Sequence, residues 1–144
     1  MQTGIFSGAS APLRWSWITP CSRRFLTVLE GELELQIGSG PKLPLPPLSL
    51  CQFDGGVPVE SWGRCKDLNL MLRKGACTGS MEVLRLPAGS SVLPPDWDIL
   101  GLYCVQGGTS WLRSGELGLL QEPTPCRLAP AESSVFLAMK IRLL

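Results

Sequence analysis

Asp67, Asn69 and Arg73 fall on one side of the run Asp67-Leu68-Asn69-Leu70-Met71-Leu72-Arg73, and leucines fill the other. An arginine and an amide in this arrangement are groups that hold a small anion. The planar guanidinium gives a carboxylate two parallel hydrogen bonds, and the amide adds a further donor. A neighbouring carboxyl group becomes an acid/base candidate where burial raises its pKa. Such chemistry needs a strand to present it. Successive side chains alternate across a sheet, so Leu68, Leu70 and Leu72 share one face and Asp67, Asn69, Met71 and Arg73 the other. That polar face either lines a lumen, with Asn69 and Arg73 on a ligand, or is the solvated side of a half-buried strand.

The chain has no histidine. Ser-His-Asp and Cys-His catalysis therefore cannot be built, nor can a metal centre of two or three histidines with a glutamate. The six cysteines (Cys21, Cys51, Cys65, Cys77, Cys104, Cys126) include no CxxC pair and no metal-ligand spacing. They read as reduced, mostly buried small hydrophobes of a cytosolic protein. Residues 1–6 show neither a basic n-region nor an apolar h-region, so export is not expected. Thirteen basic residues balance twelve acidic ones without a basic patch, which argues against a nucleic-acid partner. No apolar run approaches the ~20 residues of a spanning helix, so no membrane partner is expected. Asp96-Trp97-Asp98 pairs two carboxylates beside a ring, but within a proline-rich loop they read as solvated rather than as a glycosidase pair. Asp54-Gly55-Gly56 and Gly38-Ser39-Gly40 read as turns in which glycine supplies positive φ.

At 144 residues, 44% hydrophobic and 17% charged, the chain suits one domain spanning 1–144 with a sizeable core. Sixteen glycines and thirteen prolines interrupt it too often for long helices. Breaker-rich stretches at 38–47, 87–95 and 122–130 separate short β-like runs. Phe25–Leu29 and the alternating Leu33, Leu35, Ile37 are expected to pair as a hairpin about Glu30-Gly31. Arg14, Trp15 and Trp17 fall on an expected first strand, the tryptophans covering one end of the core or lining a pocket mouth. The class is an all-β sandwich or barrel. Leu102–Gly108 echoes Leu26–Gly31, an apolar strand running into glycine. Arg127–Leu137 resembles the strand pair of a cupin motif. Repeat halves of roughly 12–85 and 86–144 follow, two packed cupin units in one domain.

The blocks Phe25–Gly31, Phe53-Asp54-Gly55-Gly56-Val57-Pro58-Val59, Asp67–Gly75 and Glu82-Val83-Leu84 resemble, in order and approximate spacing, the HutD/Ves family of bacterial proteins. The resemblance implies an RmlC-like bicupin without a conventional metal site, from a bacterial cytosol. Some family members are associated with histidine utilisation and others with stress, and a regulatory role through a small pathway acid follows for the former. The chain departs from the family where an FPG-x-D-R-like segment is expected. It reads Thr19-Pro20-Cys21-Ser22-Arg23-Arg24, without the acid, so only an arginine carries over, onto Arg23 or Arg24.

Three functions follow. The first is a cofactor-free, non-enzymatic protein that binds a small carboxylate metabolite through Arg73 and Asn69, next to Asp67, helped by Arg24 and closed by Trp62 or Trp15. The second is a metal-independent isomerase or epimerase with Asp67 or Glu30 as acid/base and Arg73 as anion holder. The third is a structural module whose apolar excess serves a homodimer.

Overall fold

Helices need uninterrupted runs of a dozen or so residues to be worth forming; glycine and proline leave this chain one such run, residues 131–144, and most of it folds as a strand. The computed structural model of the chain describes residues 2–7 and 13–144, with side chains from residue 18 onward. Among the described residues it forms twelve strands and no helix. It divides into two compact units, Met1–Ala76 and Cys77–Leu144.

The first unit is one antiparallel sheet built on two long strands, β3 (Ser22–Ile37) and β6 (Val59–Arg73). The outer edge of β6 takes β1 (Gln2–Ser7) and β2 (Leu13–Trp17). The outer edge of β3 takes β4 (Lys42–Leu45) and β5 (Leu50–Asp54). The hairpin expected about Glu30-Gly31 is therefore corrected to a single 16-residue strand. Its pairing with β6 shifts register between Val28 and Glu30, leaving Leu29 as the extra residue of a bulge, with Gly31 just beyond at φ 85°. The glycine signal is real, but it bends a strand instead of reversing the chain.

One extra residue exchanges the faces. Before the bulge, Leu26 and Val28 enter the core; after it, Leu33, Leu35 and Ile37 do. All of them meet the odd-numbered side of β6, where Val59 and Cys65 belong to the same apolar cluster. Leu45, Phe53 and Cys51 complete it. On the opposite face, the stretch from the bulge to Ile37 sets Glu30 against Lys66 and Glu32 against Arg64, opposite charges directly across a strand pair. Before the bulge that face is apolar and buried, through Phe25, Leu68, Leu70 and Leu72.

The second unit is a sheet ordered β10 (Leu117–Leu120), β9 (Ile99–Gln106), β12 (Ser134–Leu143), β7 (Cys77–Leu86), accompanied by the pair β8 (Ser91–Leu93) and β11 (Cys126–Leu128). β7 pairs with β12 over its whole length and so falls in this unit, whereas the sequence halves divide near 85. Alternation supplies the core: Leu100, Leu102 and Cys104 from β9 meet Phe136 and Ala138 from β12, with Trp97, Leu112, Cys126 and Leu128 around them. The three breaker-rich stretches carry short strands of their own, β4, β8 and β11.

The close approach of β3 and β6 depends on Gly31 and Gly63, which both have positive φ. A Cβ on Gly31 would collide with the Arg64 carbonyl oxygen, and one on Gly63 with that of Glu32. Gly63→Ala is expected to cost about 2 kcal/mol or more, seen as a lower urea midpoint at unchanged slope. A loss below about 0.5 kcal/mol would show that the strand spacing relaxes freely.

Candidate functional site

The core face of the first unit is largely apolar: besides the buried Ser61, its polar groups cluster at one place. β3 brings Arg24 to it, two residues before Leu26, and β6 brings Asp67 and Asn69. In the register Leu26 lies opposite Asn69 and Val28 opposite Asp67, so Arg24 is diagonal to Asn69, within reach of a long side chain. Arg24 Nη2 donates to Asn69 Oδ1 at 2.7 Å, and Asn69 Nδ2 donates to Asp67 Oδ2 at 2.5 Å. A cation, an amide and a carboxyl group are thereby strung into one directional chain. All three are buried, at 3%, 0% and 8% exposure. Phe53, opposite Arg24 on β5, places its ring centroid 5.6 Å from the guanidinium carbon.

Burial sets the electrostatics. It pushes the Asp67 carboxyl above the ordinary aspartate range, against the opposing pull of the Asn69 hydrogen bond and the Arg24 charge. It lowers the Arg24 pKa, and Asp67 partly offsets this. The Cys65 thiol, two residues along β6, is pushed up to about 11, by burial first and by Asp67 second. It is protonated at neutral pH and is no nucleophile. The site thus sets one guanidinium and one carboxyl group of raised pKa within an apolar wall.

Of the residues expected to form the site, Arg24, Asn69 and Asp67 come together. Arg73 does not join them; it is exposed near the end of β6, opposite Ser22. Trp62 is half-buried and lies on the other face, opposite Glu34, with Lys42 Nζ 4.2 Å from its ring centroid. The side chains of Arg14, Trp15 and Trp17 lie outside the described residues. Glu30 is exposed. Of the two arginines that could carry over from the family segment, Arg23 is exposed and Arg24 buried. Phe53 was missed by the sequence reading, although its block was recognised, because nothing local reveals which side chain will stand opposite an arginine.

Other candidates resolve into structure. Gly55 lacks the expected positive φ. It is needed because a Cβ there would collide with Ser22 Oγ, while Asp54 caps the turn by accepting from the Gly56 N–H at 2.8 Å and pairs with Lys74. Trp97 is a core residue at 2% exposure. Asp96 pairs with Lys140 at 3.0 Å and Asp98 accepts from the Leu143 N–H at 2.8 Å. Neither aspartate is simply solvated. The cysteines are all free: Cys104 and Cys126 buried, Cys51, Cys65 and Cys77 half-buried, and Cys21 exposed, so fewer are buried than expected. Among the described residues no three Cys, Asp or Glu side chains gather as a metal site, and no helix is long and apolar enough to cross a membrane.

The fold and site define an all-β, cupin-like protein whose core face carries an arginine–amide–carboxyl chain. The HutD family profile matches residues 18–139, and the chain belongs to that family. Solved structures agree on the fold. A conserved protein of unknown function from Pseudomonas aeruginosa PAO1 superposes with a TM-score of 0.73 at 21% identity, covering 99% of this chain and 78% of its own. HutD from Pseudomonas fluorescens SBW25, in a formate condition, gives 0.70 at 14% identity, covering 99% and 74%. A cupin 2 conserved barrel domain protein from Leptotrichia buccalis gives 0.58 at 9% identity, covering 98% and 88%. No curated protein matches the chain.

A raised Asp67 pKa means that the folded state holds this proton more tightly than the unfolded chain does. The stability it contributes is complete below the ordinary value of 3.8 and is lost as pH rises through the folded value. Asp67→Asn stays neutral, so its melting temperature relative to the parent is expected to climb with pH above 3.8. A difference that stays flat between about pH 3 and about pH 7 would contradict the raised pKa.

Proposed function

We propose that this HutD-family protein is a cytoplasmic, non-enzymatic binder of a small carboxylate metabolite, with a regulatory role in histidine utilisation or a stress response. The observation that carries the reading is the Arg24–Asn69–Asp67 chain buried among Leu26, Val28 and Phe53. Removing a guanidinium and a carboxyl group from water is costly and rarely strengthens a fold over a well-packed apolar alternative. Such a chain is best understood as retained for recognition. The guanidinium is the group with the geometry to grip a carboxylate, and Asn69 holds it in place. The formate condition of the Pseudomonas fluorescens HutD structure is compatible with a small carboxylate as ligand, and six free cysteines suit a reducing compartment. In the bicupin reading the two units would be repeats of one ancestral barrel.

The test is a thermal-shift and calorimetric screen of histidine-pathway acids against the full chain. At a hundred times its dissociation constant a true ligand stabilises by about 2.7 kcal/mol, readily seen as a higher melting temperature. Arg24→Lys keeps the charge but loses the fork, and is expected to weaken binding roughly tenfold or more. No shift with any acid at millimolar concentration, or binding indifferent to Arg24→Lys, would reject the reading.

The burial of Asp67, which raises its pKa, favours a second reading, a metal-independent isomerase or epimerase with Asp67 as acid/base. Solvent-deuterium exchange into the bound acid, abolished by Asp67→Asn, would establish it. A ligand that binds without exchange would dismiss it.

A further inference from the structure

The second unit holds a groove lined by its own residues. β10 is hydrogen-bonded only to β9, and β11 only to β8, among the described residues. Between these strands opens a groove of about 450 Å³ lined by Trp111, Leu119, Leu120, Pro125, Cys126 and Arg127. We propose that this groove is a second binding site, for a small aromatic carboxylate whose ring lies on Trp111 and whose charge is met by Arg127.

The walls are apolar and out in the open. Trp111 is 47% exposed and Leu119 45%. Cys126 and Leu120 form a floor continuous with the unit's core, and the Cys126 thiol stays neutral because burial raises its pKa. A volume of this size falls in the range that takes a single-ring ligand.

Charge decides the rest. Arg127 is the one charged residue among the described residues lining the groove. A cationic ligand would be repelled and a neutral one would leave the guanidinium unused. An anion on an apolar body satisfies both surfaces at once.

Hydrogen bonds tie the guanidinium and the loop that carries the indole, which lowers the ordering cost of binding. Arg127 Nη1 donates to Ser90 Oγ at 3.1 Å. Trp111 sits in a tight loop: Thr109 N–H donates to Leu112 O at 2.8 Å, and Thr109 Oγ1 accepts from the Trp111 and Leu112 N–H groups at 3.3 and 3.0 Å. The indole lies beside β10: a Cβ on Gly118 would be in ordinary van der Waals contact with it, 3.6 Å from Trp111 Cζ3.

The test titrates the full chain with benzoate, followed by tryptophan fluorescence and calorimetry, with acetate and benzyl alcohol as controls. Benzoate is expected to bind roughly tenfold or more tightly than either control. Arg127→Gln and Trp111→Ala, both surface changes whose folding is checked by circular dichroism, are each expected to weaken benzoate roughly tenfold. Unchanged binding in both variants overturns the proposal. So does benzyl alcohol binding as well as benzoate, the absence of benzoate binding at about 10 mM, or a loss confined to Arg24→Lys, which would place benzoate on the other unit's polar chain.

Discussion

The first unit depends on one bulged residue. With Leu29 extra, β3 presents Leu26 and Val28 before the bulge and Leu33, Leu35 and Ile37 after it to the same odd-numbered side of β6. Without it, one half of the strand would turn its apolar residues outward and its glutamates into the core, because side-chain direction has a period of two. The bulge also lets a 16-residue strand bend. Arg24 reaches the core face because it shares the parity of Leu26 and Val28. The candidate site is thus a by-product of the register that builds the core.

That register has an electrostatic consequence. Arg24, Asn69 and Asp67 are withdrawn from water together, and their hydrogen bonds run in one direction, from guanidinium to amide to carboxyl. Burial dominates both ends, lowering the arginine and raising the aspartate. The cost of this chain to stability has a single physical origin, the desolvation of paired charges.

The second unit solves its packing differently. β9 and β12 supply an alternating core, while prolines and glycines keep β8 and β11 short and separate from β10. Among the described residues, the gap leaves strand edges without a hydrogen-bonded neighbour in the second unit, which also carries an exposed tryptophan. Arg127 at the gap fits the way natural sheets protect open edges with charge, and gives the groove its electrostatic character.

Much of this was legible locally. Glycine and proline frequency gave an all-β chain, the alternation of Leu33–Ile37 and Asp67–Arg73 gave strands, and the absence of histidine removed a whole range of chemistry. These are properties of composition and of neighbours along the chain, which a sequence carries in full. Whether Asp67 and Asn69 faced core or water, and which arginine joined them, could not be read this way. Arg73 shares a strand face with Asn69 by simple counting, yet ends exposed near the strand terminus. Arg24, 45 residues away from Asn69 in sequence, makes the contact. The glycine at 31 was read as a turn because a turn and a bulge have the same local signature, φ > 0; only the pairing of β3 with β6 distinguishes them. Sequence alone determined the kind of structure and the chemistry it could not do. Tertiary structure decided the partners, because strand register is a long-range agreement between segments that no local pattern encodes.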